Sequence, residues 1–121
     1  PGGLFLQYYG LHGDAVERRG DLVMSEMSYL TRYGRTKLYG GLLTENVVQA
    51  LSRKIIADQM LQISKQYRVV TMTHDEIVVL AKTSEADKCL NYMLKIMSTA
   101  PDWAPGLPLA AEGGHDVCYS K

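Results

Sequence analysis

The triplet His74-Asp75-Glu76 places an imidazole beside two adjacent carboxylates. It lies within "RVVTMTHDEIVVLA", residues 68–81, between two apolar, β-branched runs. Carboxylate oxygens suit a hard divalent cation such as Mg²⁺, which keeps several waters and takes one or two protein carboxylates alongside substrate phosphates. Successive strand residues point to opposite faces, so one carboxylate can ligate while the other orients or supports it. His74 can donate to a phosphate or sugar oxygen. Zinc is disfavoured, because His12 and His115 are remote in sequence and Cys89 and Cys118 show no ligand spacing. The plain alternative is an exposed turn whose charge is incidental. Tight hairpin turns, however, select Asn-Gly or Asp-Gly, and "THDEI" contains neither Gly nor Asn. A turn chosen against its own chemistry points to side chains kept for another reason. No Walker loop, nucleophile elbow or locally supported Cys–His pair competes with this site. A metal phosphohydrolase would need further His ligands on helices, which the chain does not offer.

The elements that must position the triplet follow from periodicity. Residues 68–73 and 77–82, rich in Val and Ile, read as the two strands of a hairpin. Before them, "TENVVQALSRKIIADQMLQISKQY" carries Val47, Val48, Leu51, Ile55, Met60 and Ile63 at helical spacing, predicting a long helix over 45–66. Thr44 or Asn46 can cap its start, and Gln49, Arg53 and Asp58 mark its polar face. After the hairpin, residues 83–100 read as a second helix with a stripe of Ala86, Cys89, Leu90, Met93 and Met97. Ser84 and Asp87 resemble a capping box there. Upstream, "GLFLQYYGL" reads as a short strand, "GDAVERRGD" as a loop, and residues 22–43 as two strands joined near "YGRT". "PDWAPGLP" is a turn on which Trp103 packs, "LPLAAEGG" a last strand, and "HDVCYSK" a frayed tail. Antiparallel strands with helices on one face predict an α+β fold.

Composition bounds the rest. The chain has 121 residues, about one domain, with 13 basic and 13 acidic residues. Residues 1–68 hold nine Lys or Arg against six Asp or Glu, and residues 69–121 four against seven. Between 27 and 44 the charged residues are Arg32, Arg35 and Lys37, a mild basic patch or simply a solvated face. No apolar run approaches the roughly 18 residues of a membrane span, and "PGGLFLQYYG" is not a signal peptide. The two cysteines read as free thiols in a reducing compartment. Pro1 follows either removal of an initiator Met or excision from a longer chain.

"TMTHDEIVVLA" resembles motif C of the family A DNA polymerases, where His-Asp-Glu sits at the tip of a palm hairpin. "LTENVVQALSRKIIADQML" is similar to the helix preceding that hairpin, "RYGRTKLYGGLLTEN" to the stretch leading into it, and "IMSTAPDWAPGLPLAAEGG" to the C-terminal end of bacteriophage-type members. The resemblance runs from "PGGLFLQYYGL" to "AAEGG". It implies an antiparallel palm-type sheet, with the motif C hairpin packed on a long helix and a second helix. It makes Asp75 a catalytic ligand of two Mg²⁺ ions, Glu76 the supporting carboxylate, and His74 a contact to the primer terminus. Gln49 matches a helix glutamine facing the DNA minor groove, where acceptors common to all base pairs can be read. Arg53 lies one turn on. The asparagine expected four residues before Gln49 is replaced by Glu45; either the helix entry differs or the adjacent Asn46 substitutes. The implied partners are primer–template DNA, a dNTP and the remainder of the polymerase, on the same chain or as a split subunit, with no membrane. Motif A and the fingers helix have no counterpart here, so residues 1–121 read as the C-terminal part of a palm, inactive alone. Leu4, Phe5, Leu6, Tyr8 and Tyr9 then pack against that remainder or form the domain's own core. Location would be the host's cytoplasm if the chain is phage-encoded. The alternatives are a non-catalytic DNA-binding or assembly module using Gln49, Arg53 and the Arg32/Arg35/Lys37 patch, and an α+β domain with no nucleic-acid role.

Overall fold

The computed structural model describes residues 3–13, 15–24 and 26–119, giving the backbone alone for 15–18 and 21–24. Pro1, and the last two residues of the predicted tail, lie outside the described residues. The described chain is α+β. Strands β1 (Ala15–Arg18), β2 (Asp21–Met24), β3 (Met27–Thr31) and β4 (Gly34–Leu38) lead into helix α1 (Gly40–Ile63). Strands β5 (Arg68–Thr73) and β6 (Glu76–Leu80) and helix α2 (Ala86–Met97) follow. The strands form three separate antiparallel hairpins, β1-β2, β3-β4 and β5-β6, where one shared sheet was expected. The chain divides into two compact units, Pro1–Leu51 and Ser52–Lys121.

In the first unit the predicted loop at 13–21 is largely a hairpin, with Ala15 opposite Met24 and Arg18 opposite Asp21. Its polar composition hid it. The turn residues Arg19 and Gly20 both take positive φ, which matches the twist of a two-residue hairpin connection. The predicted strand at 3–11 is irregular instead. It touches β3 through a His12–Ser28 bridge and a hydrogen bond donated by the Leu30 N–H to the Tyr9 carbonyl. Gly10, at φ 55, interrupts any ladder, and a Cβ there would stand 2.7 Å from Leu30 Cδ1. The two strands expected over 22–43 form as β3-β4 in shorter bounds: the turn falls at Arg32 and Tyr33, residues 22–24 belong to β2, and 40–43 belong to α1.

Helix α1 starts earlier than predicted. Thr44 does not cap it: its hydroxyl donates to the Gly40 carbonyl one turn back, 2.9 Å away. Gly40 and Gly41 are poor helix formers, which is why the pattern alone placed the start later.

The second unit holds every residue buried among those described: Ile56, Gln59, Ile63, Ile77 and Cys89. Ile56 and Ile63 of α1 pack with Ile77 of β6. Val69, Met72 and Val79 of the hairpin and Tyr92, Met93, Ile96 and Met97 of α2 close around them. Val69 and Met72 are three apart yet both turn inward. A bulge at Val70 makes this possible: Val69 pairs Val79 and Thr71 pairs Val78, so one extra residue restores the parity. The hairpin is thus fixed on both helices, with its tip directed by the bulged strand. Gln59 is a polar group in this core, and its amide donates to the Met97 carbonyl at 3.0 Å, at the end of α2.

Two further expectations change. Asp87 makes no capping box with Ser84, because α2 begins after a 3₁₀ turn (Thr83–Glu85) and has no side-chain cap. The expected last strand at 107–114 finds no ladder partner among the described residues and runs as irregular chain. Trp103 sits in the predicted turn segment but stays about one-third exposed.

Candidate functional site

Thr73 pairs with Glu76, leaving His74 and Asp75 as a two-residue turn at the hairpin tip. The first position of such a turn needs positive φ, and His74 supplies it at 53° without being glycine. His74 and Asp75 are both exposed. Glu76 is already in β6, one residue before buried Ile77, so its side chain leaves the sheet on the face opposite the core. It is half-buried, and its Oε2 accepts a hydrogen bond from the Tyr119 hydroxyl at 3.3 Å. The structure therefore brings His74, Asp75 and Glu76 to one exposed tip, with Tyr119 beside the last of them.

Arg53 also belongs to this unit. It is exposed on α1 and makes no ion pair or hydrogen bond with a described residue. Its neighbours Lys54 and Asp58 pair with each other one turn apart. Among the described residues no group of three or more His, Cys, Asp or Glu gathers to hold a metal. The donor set at the tip is therefore two carboxylates. Its oxygen chemistry fits a hard cation, but as part of a ligand set.

The remaining predicted residues lie in the first unit. Gln49 is exposed on α1, where its amide donates to Glu45 Oε1 at 3.0 Å, so the two residues in question at the helix start are coupled. Asn46 is half-buried and donates to the Tyr8 hydroxyl at 3.0 Å. Tyr8 in turn meets Tyr29 of β3 edge-to-face, ring centroids 5.0 Å apart. Asn46 thus ties the amino-terminal segment to the helix.

The basic patch is mostly committed to partners. Arg35 Nη1 donates to the Gly10 carbonyl and to Ser28 Oγ, each at 3.1 Å. Lys37 pairs with Glu26 at 2.9 Å. Arg32 stacks on Tyr33, 4.5 Å from the ring centre. Leu4, Phe5, Leu6 and Tyr9 are exposed, Phe5 by 84%, so the amino-terminal apolar residues do not form a core of their own unit.

Sequence reasoning missed Tyr119, Tyr8 and Gln59 as partners. Their contacts join residues 43, 38 and 38 positions apart, and no local pattern announces such pairs. Among the described residues no helix is long and apolar enough to cross a membrane.

A protein named DNA polymerase from Bacillus phage SP02 is 36% identical to the chain over 91 residues. The match takes in 74% of this chain and 14% of that polymerase, so the chain spans a small part of its relative's length. No family model matches the chain. No solved structure matches it either. The chain is thus related to a phage DNA polymerase.

Proposed function

We propose that this chain supplies the motif C half of a family A DNA polymerase active site, as the C-terminal part of a palm. The observation that carries the reading is the hairpin tip, with His74 and Asp75 exposed and Glu76 half-buried beside them, held on a core of two helices, in a chain related to a phage DNA polymerase. The reaction would be attack of a primer 3′-hydroxyl on the α-phosphate of a dNTP, with the bond to pyrophosphate breaking. Asp75 would hold Mg²⁺ at the tip, and Glu76 would support that site from β6. When bound, Mg²⁺ supplies charge stabilisation for the attacking and leaving oxygens.

The chain's own residues do the rest. The turn fixes Asp75 clear of the sheet, so its carboxylate faces outward without being buried. His74 would donate to the primer terminus. Arg53, with no partner among the described residues, would meet the DNA backbone, and Gln49 would face the minor groove. The partial ligand set calls for a further carboxylate from the remainder of the polymerase, the role of motif A in this family. The exposed Leu4, Phe5 and Leu6 are consistent with such a larger assembly.

The catalytic reading is favoured over a non-catalytic DNA-binding module because Arg35 Nη1 and Lys37 Nζ each already hold a partner within their own unit. The test is primer extension by the natural full-length protein carrying this chain, as parent and as Asp75→Asn. The substitution keeps the side chain's shape and removes its charge, and extension should fall by about 10³-fold, the scale of losing a central electrostatic contribution. Extension within about tenfold of the parent would overturn the proposal, since a metal-holding carboxylate cannot be so dispensable.

A further inference from the structure

Residues 113–119 fold back over the second unit through three successive contacts. Gly113 lies so close to α2 that a Cβ there would stand 3.2 Å from Leu90 Cδ1 and 3.8 Å from Leu94 Cδ2. His115 Nε2 meets Asp87 Oδ1, in the first turn of α2, at 3.0 Å. Four residues on, the Tyr119 hydroxyl donates to Glu76 Oε2 at the hairpin. The segment is therefore a strap running from the helix to the residue next to Asp75. We infer that Tyr119 is a positioning residue: its hydroxyl orients the Glu76 carboxylate beside Asp75, and the strap holds the phenol in place.

The chemistry supports a positioning role. An ionised carboxylate has about four lone-pair sites, and a hydroxyl that occupies one restricts how the group turns. Groups that hydrogen-bond a ligating carboxylate orient it and tune its affinity, and losing one weakens metal binding or activity by about tenfold or more. At 3.3 Å the bond is longer than the usual 2.7–2.8 Å for O–H···O, so it has room to tighten as Glu76 turns. A phenol is a good donor and, unlike Lys or Arg, adds no cation that would compete with a bound metal. Tyr119 is 62% exposed.

This inference rests on the metal-dependent reading of the hairpin, and the experiment separates the two. Mn²⁺ is titrated into the full-length protein and free Mn²⁺ is followed by electron paramagnetic resonance, for the parent, Asp75→Asn, Tyr119→Phe and Gly113→Val. Primer extension against Mg²⁺ concentration accompanies it. Tyr119→Phe keeps the ring and removes only the donor. It should weaken Mn²⁺ binding by about tenfold and raise the Mg²⁺ needed for half-maximal extension to match, with the melting temperature unchanged. Gly113→Val crowds Leu90 and Leu94 at the strap's contact with α2 and should reproduce the shift. Parent-like Mn²⁺ binding by Tyr119→Phe overturns the inference, and if Asp75→Asn still weakens binding, the hairpin reading stands without it. Parent-like binding by Asp75→Asn overturns both. A shift in Tyr119→Phe that Gly113→Val does not share overturns the strap's part.

Discussion

At φ 53 the His74 backbone crowds its own Cβ against the carbonyl oxygen, which costs an L-residue roughly 1–2 kcal/mol. Histidine is among the side chains found more often than most in this region, but glycine occupies it without that contact. A hairpin selected for stability alone would carry glycine at 74. Replacing His74 with glycine relieves the crowding and gives back about 0.5–1 kcal/mol through the greater freedom of the unfolded chain. The expected net effect is a gain of about 0.5–1 kcal/mol in chemical denaturation, together with a fall in primer extension as the imidazole is lost. A variant that loses stability while extending primers normally would show the imidazole to be structural. This residue was legible in the sequence because the turn contradicted its own chemistry. Asp75 and Glu76 were legible by type. Their separation into a turn residue and a strand residue was not, since it depends on where Thr73 pairs. Tyr119 was not legible at all, because nothing in a terminal "CYSK" shows that the segment folds back on residue 76.

The β5-β6 hairpin was readable for a similar reason: its β-branched runs are dense, and both strands formed within two residues of the predicted ends. Helix α1 was readable in its middle and misplaced at its start, where Gly40 and Gly41 argue against helix on propensity yet the helix runs through them. Hairpin β1-β2 was missed because β1 is short and half polar and residues 22–24 read as part of the next strand, so only the Arg19-Gly20 turn marks it. The elements that position the tip depend on few residues. Ile63 is the most buried of them, with no exposed surface, at the last turn of α1 and against Ile77. Truncating a buried isoleucine to alanine removes its transfer free energy and leaves a cavity, costing about 2–5 kcal/mol in well-packed sites. Ile63→Ala should fall in the middle of that range, about 3 kcal/mol. Its effect on extension should follow the loss of folded protein, so activity per folded molecule should stay close to the parent's. Urea denaturation followed by circular dichroism, with activity normalised to the folded fraction, checks both. A stable Ile63→Ala with poor activity would mean that the core tunes the tip beyond merely holding it.

At the scale of the whole molecule, burial is uneven. All the buried residues among those described lie within Ser52–Lys121, while the first unit exposes Phe5, Tyr33 and Tyr39. The two cysteines offer a way to watch the second unit, since Cys89 is 3% exposed on α2 and Cys118 is exposed on the strap. Burial, and after it the negative charge of Glu85, pushes the Cys89 thiol above its ordinary 9.0. The thiolate is the reactive form, so exposure and ionisation both disfavour Cys89. A thiol reagent at pH 8 should modify Cys118 at once and Cys89 at least about a hundredfold more slowly, at the rate at which the unit opens. The same shift sets a pH dependence. In the unfolded chain the thiol loses its proton near 9.0, whereas in the folded unit it keeps it to higher pH. The folded state then binds more protons, and stability falls as pH rises. This contribution is complete below pH 9 and is lost progressively above it. Cys89→Ala removes the titrating group, so its stability should decline less than the parent's between pH 8.5 and 10.5. Parallel curves for the two proteins would show that Cys89 does not govern the alkaline limit. Equal labelling of both cysteines at pH 8 would show that α2 is open in solution, and the hairpin with it would lack the fixed base on which its carboxylates depend.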